Sequence, residues 1–395
     1  MRRGTFVRWG VPIAAAAVIG AAIGAGPVIA AVSGDPVLPE RSAEQLLADA
    51  VAATSKAGGV PPMSGTVQQT ASLGLPALPQ TGGAVSPLSL LSGSHEVKVW
   101  YGAADKVRVA MPTQLNETNL ILNGGQAWYW DSATNTATKL TIKQGSGGPA
   151  QATPLPRETE LTPQQLASRL LAGADEHTAV RVINTAEVAG RPVYQLVLAP
   201  KEETSLVQEI RIALDGETYV PLQVQVYAKG SAEPAYQVGF TQVTFTPPAA
   251  ENFTFTPPAG AKVEERTLGT EGDAGAHAEE RAEHARQVAG DLKVVGEGWT
   301  AVAVAPFSLS DLTAAQQSGT PEGGHGQPGG QGGGQGGDAA ALVDSVLKSA
   351  TPVSGTWGSG RLIRTKLVTA LLTDDGRLLV GAVTPEAITK AAGTK

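Results

Sequence analysis

The stretch Glu209-Ile-Arg-Ile-Ala-Leu-Asp-Gly-Glu-Thr-Tyr-Val-Pro-Leu-Gln-Val-Gln-Val-Tyr227 decides the fold. Ile210, Ile212 and Leu214 alternate with Glu209, Arg211 and Ala213. Asp215-Gly216 then turns the chain, and Leu222, Val224 and Val226 alternate with Gln223, Gln225 and Tyr227. A period of two marks strands with one apolar and one polar face, and the turn between them predicts a hairpin. Upstream, Tyr194, Leu196 and Leu198 keep the same pattern. Downstream, Tyr236, Val238 and Phe240 continue it, and the phase then slips to Val243 and Phe245. One extra residue predicts a β-bulge that bends this strand.

The pattern extends towards the N-terminus. Val97, Val99 and Tyr101 alternate with polar neighbours, as do Val107, Val109 and Met111. Asn119 to Asn123, Gly124-Gly125 and Trp128-Tyr129-Trp130 predict a second hairpin, and Leu140 and Ile142 a further strand. Hairpin spacing favours an antiparallel meander, wet on one side, and about ten such strands curl strongly. The expected concave face carries Val97, Val99, Val107, Val109, Leu196, Leu198, Ile210, Ile212, Leu222, Val224, Val226 and Phe240.

Helices are few. Ser42 to Ser55 carries a capping pair, Ser42 and Gln45, and an apolar stripe with Leu46 and Leu47. Pro163 to Ala172 comes after Thr162 as cap and carries Leu166 and Leu170. These two helices are the candidate lids over the concave face.

The N-terminus addresses the chain. Arg2, Arg3 and Arg8 precede an uncharged apolar run from Val11 to Val32. Basic residues stay in the cytoplasm, so the rest of the chain is exported. The run is long enough to span a membrane, yet its small residues around Ala30 also suit a signal peptidase. Both readings stand: residues 1–34 are a cleaved signal peptide, or a retained anchor that permits membrane association. Residues 35–265 form the sheet domain and 266–293 a charged linker. Residues 294–395 form a small α+β unit holding a Gly/Gln-rich insert at 319–337. That unit shows a strand near Trp299, a short helix at 339–349, a hairpin turning at Asp374-Asp375-Gly376, and a last helix from Pro385.

Composition narrows the chemistry. The 395 residues carry a net charge of −7 and no basic stripe, which argues against nucleic acid. There is no cysteine, hence no disulfide, thiolate metal site, cysteine nucleophile or lipobox anchor. The five histidines lack metal-ligand spacing, and His277 and His284 lie in a solvated charged segment. No Gly-x-Ser-x-Gly elbow or phosphate-binding loop occurs. Asp374-Asp375 and Glu264-Glu265 read as solvent-facing pairs. The chain is therefore expected to be no enzyme and to need no cofactor and no metal. What remains is apolar surface, either an ordinary core or a cavity for an acyl chain.

Three segments carry a resemblance. They are Glu187 to Lys201 (Glu-Val-Ala-Gly-Arg-Pro-Val-Tyr-Gln-Leu-Val-Leu-Ala-Pro-Lys), Ile212 to Tyr227, and Phe240 to Gly260 with its Asn252-Phe-Thr-Phe-Thr-Pro-Pro-Ala-Gly ending. Together they resemble the LolA/LolB/RseB superfamily of envelope proteins, over about Ser42 to Glu265. The resemblance implies an α+β fold: a strongly curved, half-open antiparallel β-barrel covered by short helices, with a smaller C-terminal α+β unit. It implies binding of lipid acyl chains or lipoproteins in a hydrophobic cavity. The alternatives are an RseB-like sensor that binds a single-pass membrane anti-sigma factor, and a structural envelope protein without ligand. Arg108 is the candidate for the arginine that closes the lid in lipoprotein carriers.

Overall fold

The computed structural model describes residues 37–55, 59–74, 92–113, 115–142, 176–268, 292–307 and 349–394. Residues 1–34, the helix expected at 163–172 with Leu166 and Leu170, and the insert at 319–337 lie outside these, as does the helix expected at 339–349 except for its last residue. Among the described residues, no helix is long and apolar enough to cross a membrane. The chain divides into two compact units.

The larger unit is one twelve-stranded sheet. Its strands are β1 (Met63–Ser72), β2 (Ser92–Ala103), β3 (Lys106–Pro112), β4 (Glu117–Asn123), β5 (Gln126–Asp131) and β6 (Thr136–Ile142). They continue as β7 (Thr178–Val188), β8 (Arg191–Pro200), β9 (Val207–Asp215), β10 (Pro221–Ala228), β11 (Pro234–Thr244) and β12 (Lys262–Leu268). The spatial order is β12-β6-β5-β4-β3-β2-β1-β11-β10-β9-β8-β7. Two meanders are thus joined back to back through the β1–β11 ladder. The expected bulge is present: Thr66 faces Gln242 while Val67 faces Phe240, so Thr241 is the extra residue.

The sheet departs from the expected half-open antiparallel barrel in one pairing. The pair β12–β6 is parallel. β12 is reached by an arm, residues 245–261, that leaves β11 in mid-sheet and ends at the far edge, where it enters β6's side running in β6's direction. β12 and β7 are both edges and do not pair with one another, so the sheet curls without closing.

Curvature defines an inner face. β7 and β11 are four places apart in the sheet, yet their Cα atoms come within 8 Å. Between them packs a cluster of Val188, Val193, Ala213, Val220 and Leu222, with Phe240 and Val243 against it. In the β1–β11 ladder, Gly65 gives room for Phe240, because a Cβ there would lie 2.8 Å from the Phe240 ring.

The outer face has its own covers. On β7–β9 the cover is helix α1 (Ala43–Ser55). Its capping box is reciprocal: the Ser42 amide donates to Gln45 Oε1 at 3.0 Å and the Gln45 amide to Ser42 Oγ at 3.1 Å. Leu46 is fully buried against Tyr194, Leu196 and Leu214, with Leu47, Leu198 and Ile212 alongside. The residues before the helix fasten to the sheet edge, where the Leu38 amide donates to the Asn184 carbonyl and Tyr194 Oη to that of Pro39.

One buried ion pair sits in the β9–β10 turn. Asp215 is wholly buried and pairs with Arg191. Its Oδ1 also accepts from the Thr218 amide and hydroxyl, each at 2.8 Å. Burial opposes the Asp215 charge, but the Arg191 and Thr218 bonds outweigh it and hold the carboxyl below the usual carboxylate range.

The smaller unit is a six-stranded antiparallel sheet in the order β13-β14-β18-β17-β16-β15. These are Lys293–Val295, Val302–Pro306, Thr351–Gly355, Gly358–Arg364, Thr369–Thr373 and Arg377–Gly381, numbered along the chain. Helix α2 (Pro385–Ala392) is capped by Thr384 and buries Ile388 on Val302, Leu362, Leu371, Leu379 and Val383. The loop 202–207 belongs to this unit, Ser205 bridging to Val383. Asp374 and Asp375 lie in the turn before β18, and the Arg377 and Thr373 bonds lower the Asp375 pKa.

Asp215→Asn is expected to cost about 2–3 kcal/mol at neutral pH, because it leaves Arg191 half-paired beside a buried site. The folded pKa lies below the ordinary value of about 3.9. The contribution is therefore complete above that pH and vanishes as pH falls through the folded pKa. Denaturant melts of both proteins from pH 7 to pH 2 should converge at the acid end. A constant gap would contradict the assignment.

Candidate functional site

The residues expected on one concave face are divided between two. Along β8, Val193 joins the inner cluster and Tyr194 the outer one. Leu196, Leu198 and Ile212 belong with Tyr194, and Ile210 pairs with Leu198. These four lie on the outer face, three of them packed in the cluster that α1 covers. Leu222 and Phe240 are on the inner face, with Val224 and Val226 placed there by alternation. Ser94, across from β1, meets the side chains of Gln68 and Thr70, which sets Val97 and Val99 on the same side as Val67. Val67 faces Phe240, Val99 faces Val109, and Tyr101 faces Val107. So Val97, Val99, Val107, Val109, Leu222, Val224, Val226 and Phe240 share the inner face. Leu46 and Leu47, expected as a lid over that face, press on the other one.

The outer face of β3–β5 is closed by the arm. Phe255 packs on Trp128 and Trp130, with ring centroids 5.4 Å and 5.9 Å away. Phe253 is buried, its ring meeting the backbone at Gly102. Arg108 lies on this outer face and not with the valines. Its Nε donates to Asn119 Oδ1 at 3.0 Å, and the guanidinium stacks 5.2 Å over the Trp100 ring. Alternation forces this, because Val107 and Val109 point inward. Arg108 is a strut beneath the arm rather than a residue of the concave side.

Among the described residues, the inner face is buried on one half and open on the other. Val97, Leu222 and Val224 are fully buried. Val99, Val107, Val109 and Leu122 are half-buried. Leu120 is 43% exposed and its cross-strand partner Tyr129 is 38% exposed. Val109 faces Leu120 and Val107 faces Leu122, so these side chains form one apolar patch over β2–β5. Its polar end is the buried cross-strand pair Thr118 and Asp131. Burial first, and the Asp131 charge second, raise the Tyr129 phenol pKa. Leu120, Leu122 and Tyr129 are not legible as site residues, because Leu120-Ile121-Leu122 is apolar in both phases. The patch offers dispersion and hydrophobic contact and has no nucleophile–base pair at its centre among the described residues.

Residues 85–264 match the model of a family described as "Predicted periplasmic protein (DUF2092)". The matched segment holds strands β2 to β11 and enters β12, and so contains the whole apolar patch. The description agrees with the export expected from the N-terminus, and the protein has an extracytoplasmic location. No curated protein sequence matches the chain. Among solved structures, the chain is similar to a chain of the Pseudomonas aeruginosa MucA/MucB complex, at 13% identity and a TM-score of 0.38. That match covers 89% of this chain and 96% of the other. It is also similar to a putative outer membrane lipoprotein-sorting protein domain from Vibrio parahaemolyticus, at 13% identity and a TM-score of 0.20, over 54% of this chain and 97% of that one. A LolA superfamily protein from Nitrosomonas europaea matches at 11% identity and a TM-score of 0.19, over 55% and 99%.

Neighbouring residues of β4 provide a test of the two faces. Ile121 is 1% exposed on the outer face, so Ile121→Ala should cost about 2–5 kcal/mol. Leu120→Ser should change stability by no more than about 0.5 kcal/mol. Paired urea melts would show it; similar losses at both positions would mean that the patch is part of the core.

Proposed function

We propose that the larger unit binds an acyl chain, of a lipid or a lipidated protein, on the open inner face over β2–β5. The observation that carries this reading is the exposure of Leu120 and Tyr129 beside Val99, Val107 and Val109, on a sheet whose outer face is already covered at both ends. A contiguous exposed apolar patch on an extracytoplasmic protein is a site awaiting a partner. The reading needs no catalytic step, no cofactor and no metal.

Magnitudes set its terms. Each methylene covered contributes about 0.8 kcal/mol, so ten laid on the patch supply about 8 kcal/mol. Association costs about 4–15 kcal/mol in lost freedom. Apolar contact alone is therefore weak to moderate, which suits a carrier that must release its cargo. Binding of a single-pass membrane partner is the alternative that the resemblance implies, and no described side chain favours it over an acyl chain.

A fluorescent long-chain fatty acid should bind the purified exported chain, and mass spectrometry of organic extracts should recover acyl species. Val109→Asp with Leu120→Glu should weaken probe binding at least tenfold while leaving the circular dichroism spectrum unchanged. Absence of both binding and extracted lipid would overturn the reading.

A further inference from the structure

Among the described residues, two ionic groups stand out on the inner face of the larger unit, and they are not alike. In the first, Arg191 is shared between Asp215 and Glu217, so carboxylates outnumber the cation. Asp215 is further consumed by the turn amides and Thr218. That group is a self-contained structural joint.

The second group has the opposite balance. Arg181 on β7 and Arg211 on β9 both face Val197 of β8, one from each side. Between them sits Glu209, 6% exposed. One of its carboxylate oxygens accepts from Arg181 Nη2 at 2.6 Å, the other from Arg211 Nε at 2.6 Å. Two cations meet one anion, leaving one positive charge without a counter-charge inside the group. Arg211 lies 4.5 Å over the Tyr227 ring centroid, which fixes the plane of its guanidinium. The Arg181 side chain is 53% exposed, so it offers its remaining N–H groups outward. A pre-oriented guanidinium pair is the geometry that recognises planar or tetrahedral oxyanions by paired hydrogen bonds. The buried glutamate holds the two forks in place as their positioning residue.

We propose that Arg181 and Arg211 seat an anionic group, a carboxylate or a phosphate, carried by the amphiphile whose chain lies on the inner face. The inference rests on the acyl-chain reading and names the head that goes with the chain. It also answers the energetic shortfall of apolar contact, since charge-assisted hydrogen bonds are the stronger kind.

The test compares a long-chain fatty acid with the alcohol of the same chain length, both titrated into the full chain. The acid should bind at least tenfold more tightly, and its advantage should shrink as salt rises. Arg181→Gln with Arg211→Gln should abolish that advantage and leave alcohol binding unchanged. Arg181→Gln alone, at a half-exposed position, keeps the test open if the double variant fails to fold, and should reduce the advantage at least threefold. Equal binding of acid and alcohol by the wild-type chain would overturn the proposal, as would an advantage that survives both variants. Inorganic phosphate that displaces the acid would assign the seat to a free anion as well; failure to displace would tie it to a head group on a chain. If neither acid nor alcohol binds, the acyl-chain reading fails separately. Phosphate alone then decides the seat: a rise in Tm confined to the wild type keeps it, and no rise removes it.

Discussion

A β-strand has two faces, and in this sheet both are apolar. Each must be covered, or left open for a reason. Helix α1 and the arm at 245–261 both go to the outer face, one on each half of the sheet. The curl of β7 onto β11 lets the inner face cover itself, but only over the strands that curl. Over β2–β5 there is no such self-covering among the described residues, and Leu120 and Tyr129 stay partly exposed. The proposed site is a result of how the covers are distributed.

The strands and turns are largely legible in the sequence. Alternation finds β2–β6 and β8–β11, the phase slip at 241 locates the bulge, and Ser42 with Gln45 announces the helix start. The faces are harder. Val193-Tyr194-Gln195-Leu196-Val197-Leu198 is apolar in either phase, so period alone cannot say which half turns inward. Alternation groups Leu196, Leu198, Ile210 and Ile212 with Leu222 and Phe240 for that reason. Only the packing of Leu46 on one side of β8 and of Leu222 on the other separates them.

Strand β1 is invisible in the sequence for a different reason. Met63 to Ser72 contains a single β-branched aliphatic residue, Val67, and is otherwise mostly Gln, Thr, Ser, Ala and Gly. It owes its place to its neighbours, since β2 and β11 supply its hydrogen bonds and Gly65 gives room for Phe240. The parallel strand β12 is equally weak in pattern, with Lys262, Glu264, Glu265 and Arg266 among its residues. Tertiary position overrides propensity at both places.

The position of β1 has a consequence for the order of events after synthesis. The Thr241 hydroxyl donates to the Thr66 carbonyl across 175 residues of chain, beside the β1–β11 ladder. The sheet therefore has no middle until β11 has arrived, and its far edge waits for β12. Closing so long a loop is slow, and little of it can be completed by the N-terminal half alone. Such a chain becomes compact late, with its two meanders waiting for the seam that joins them.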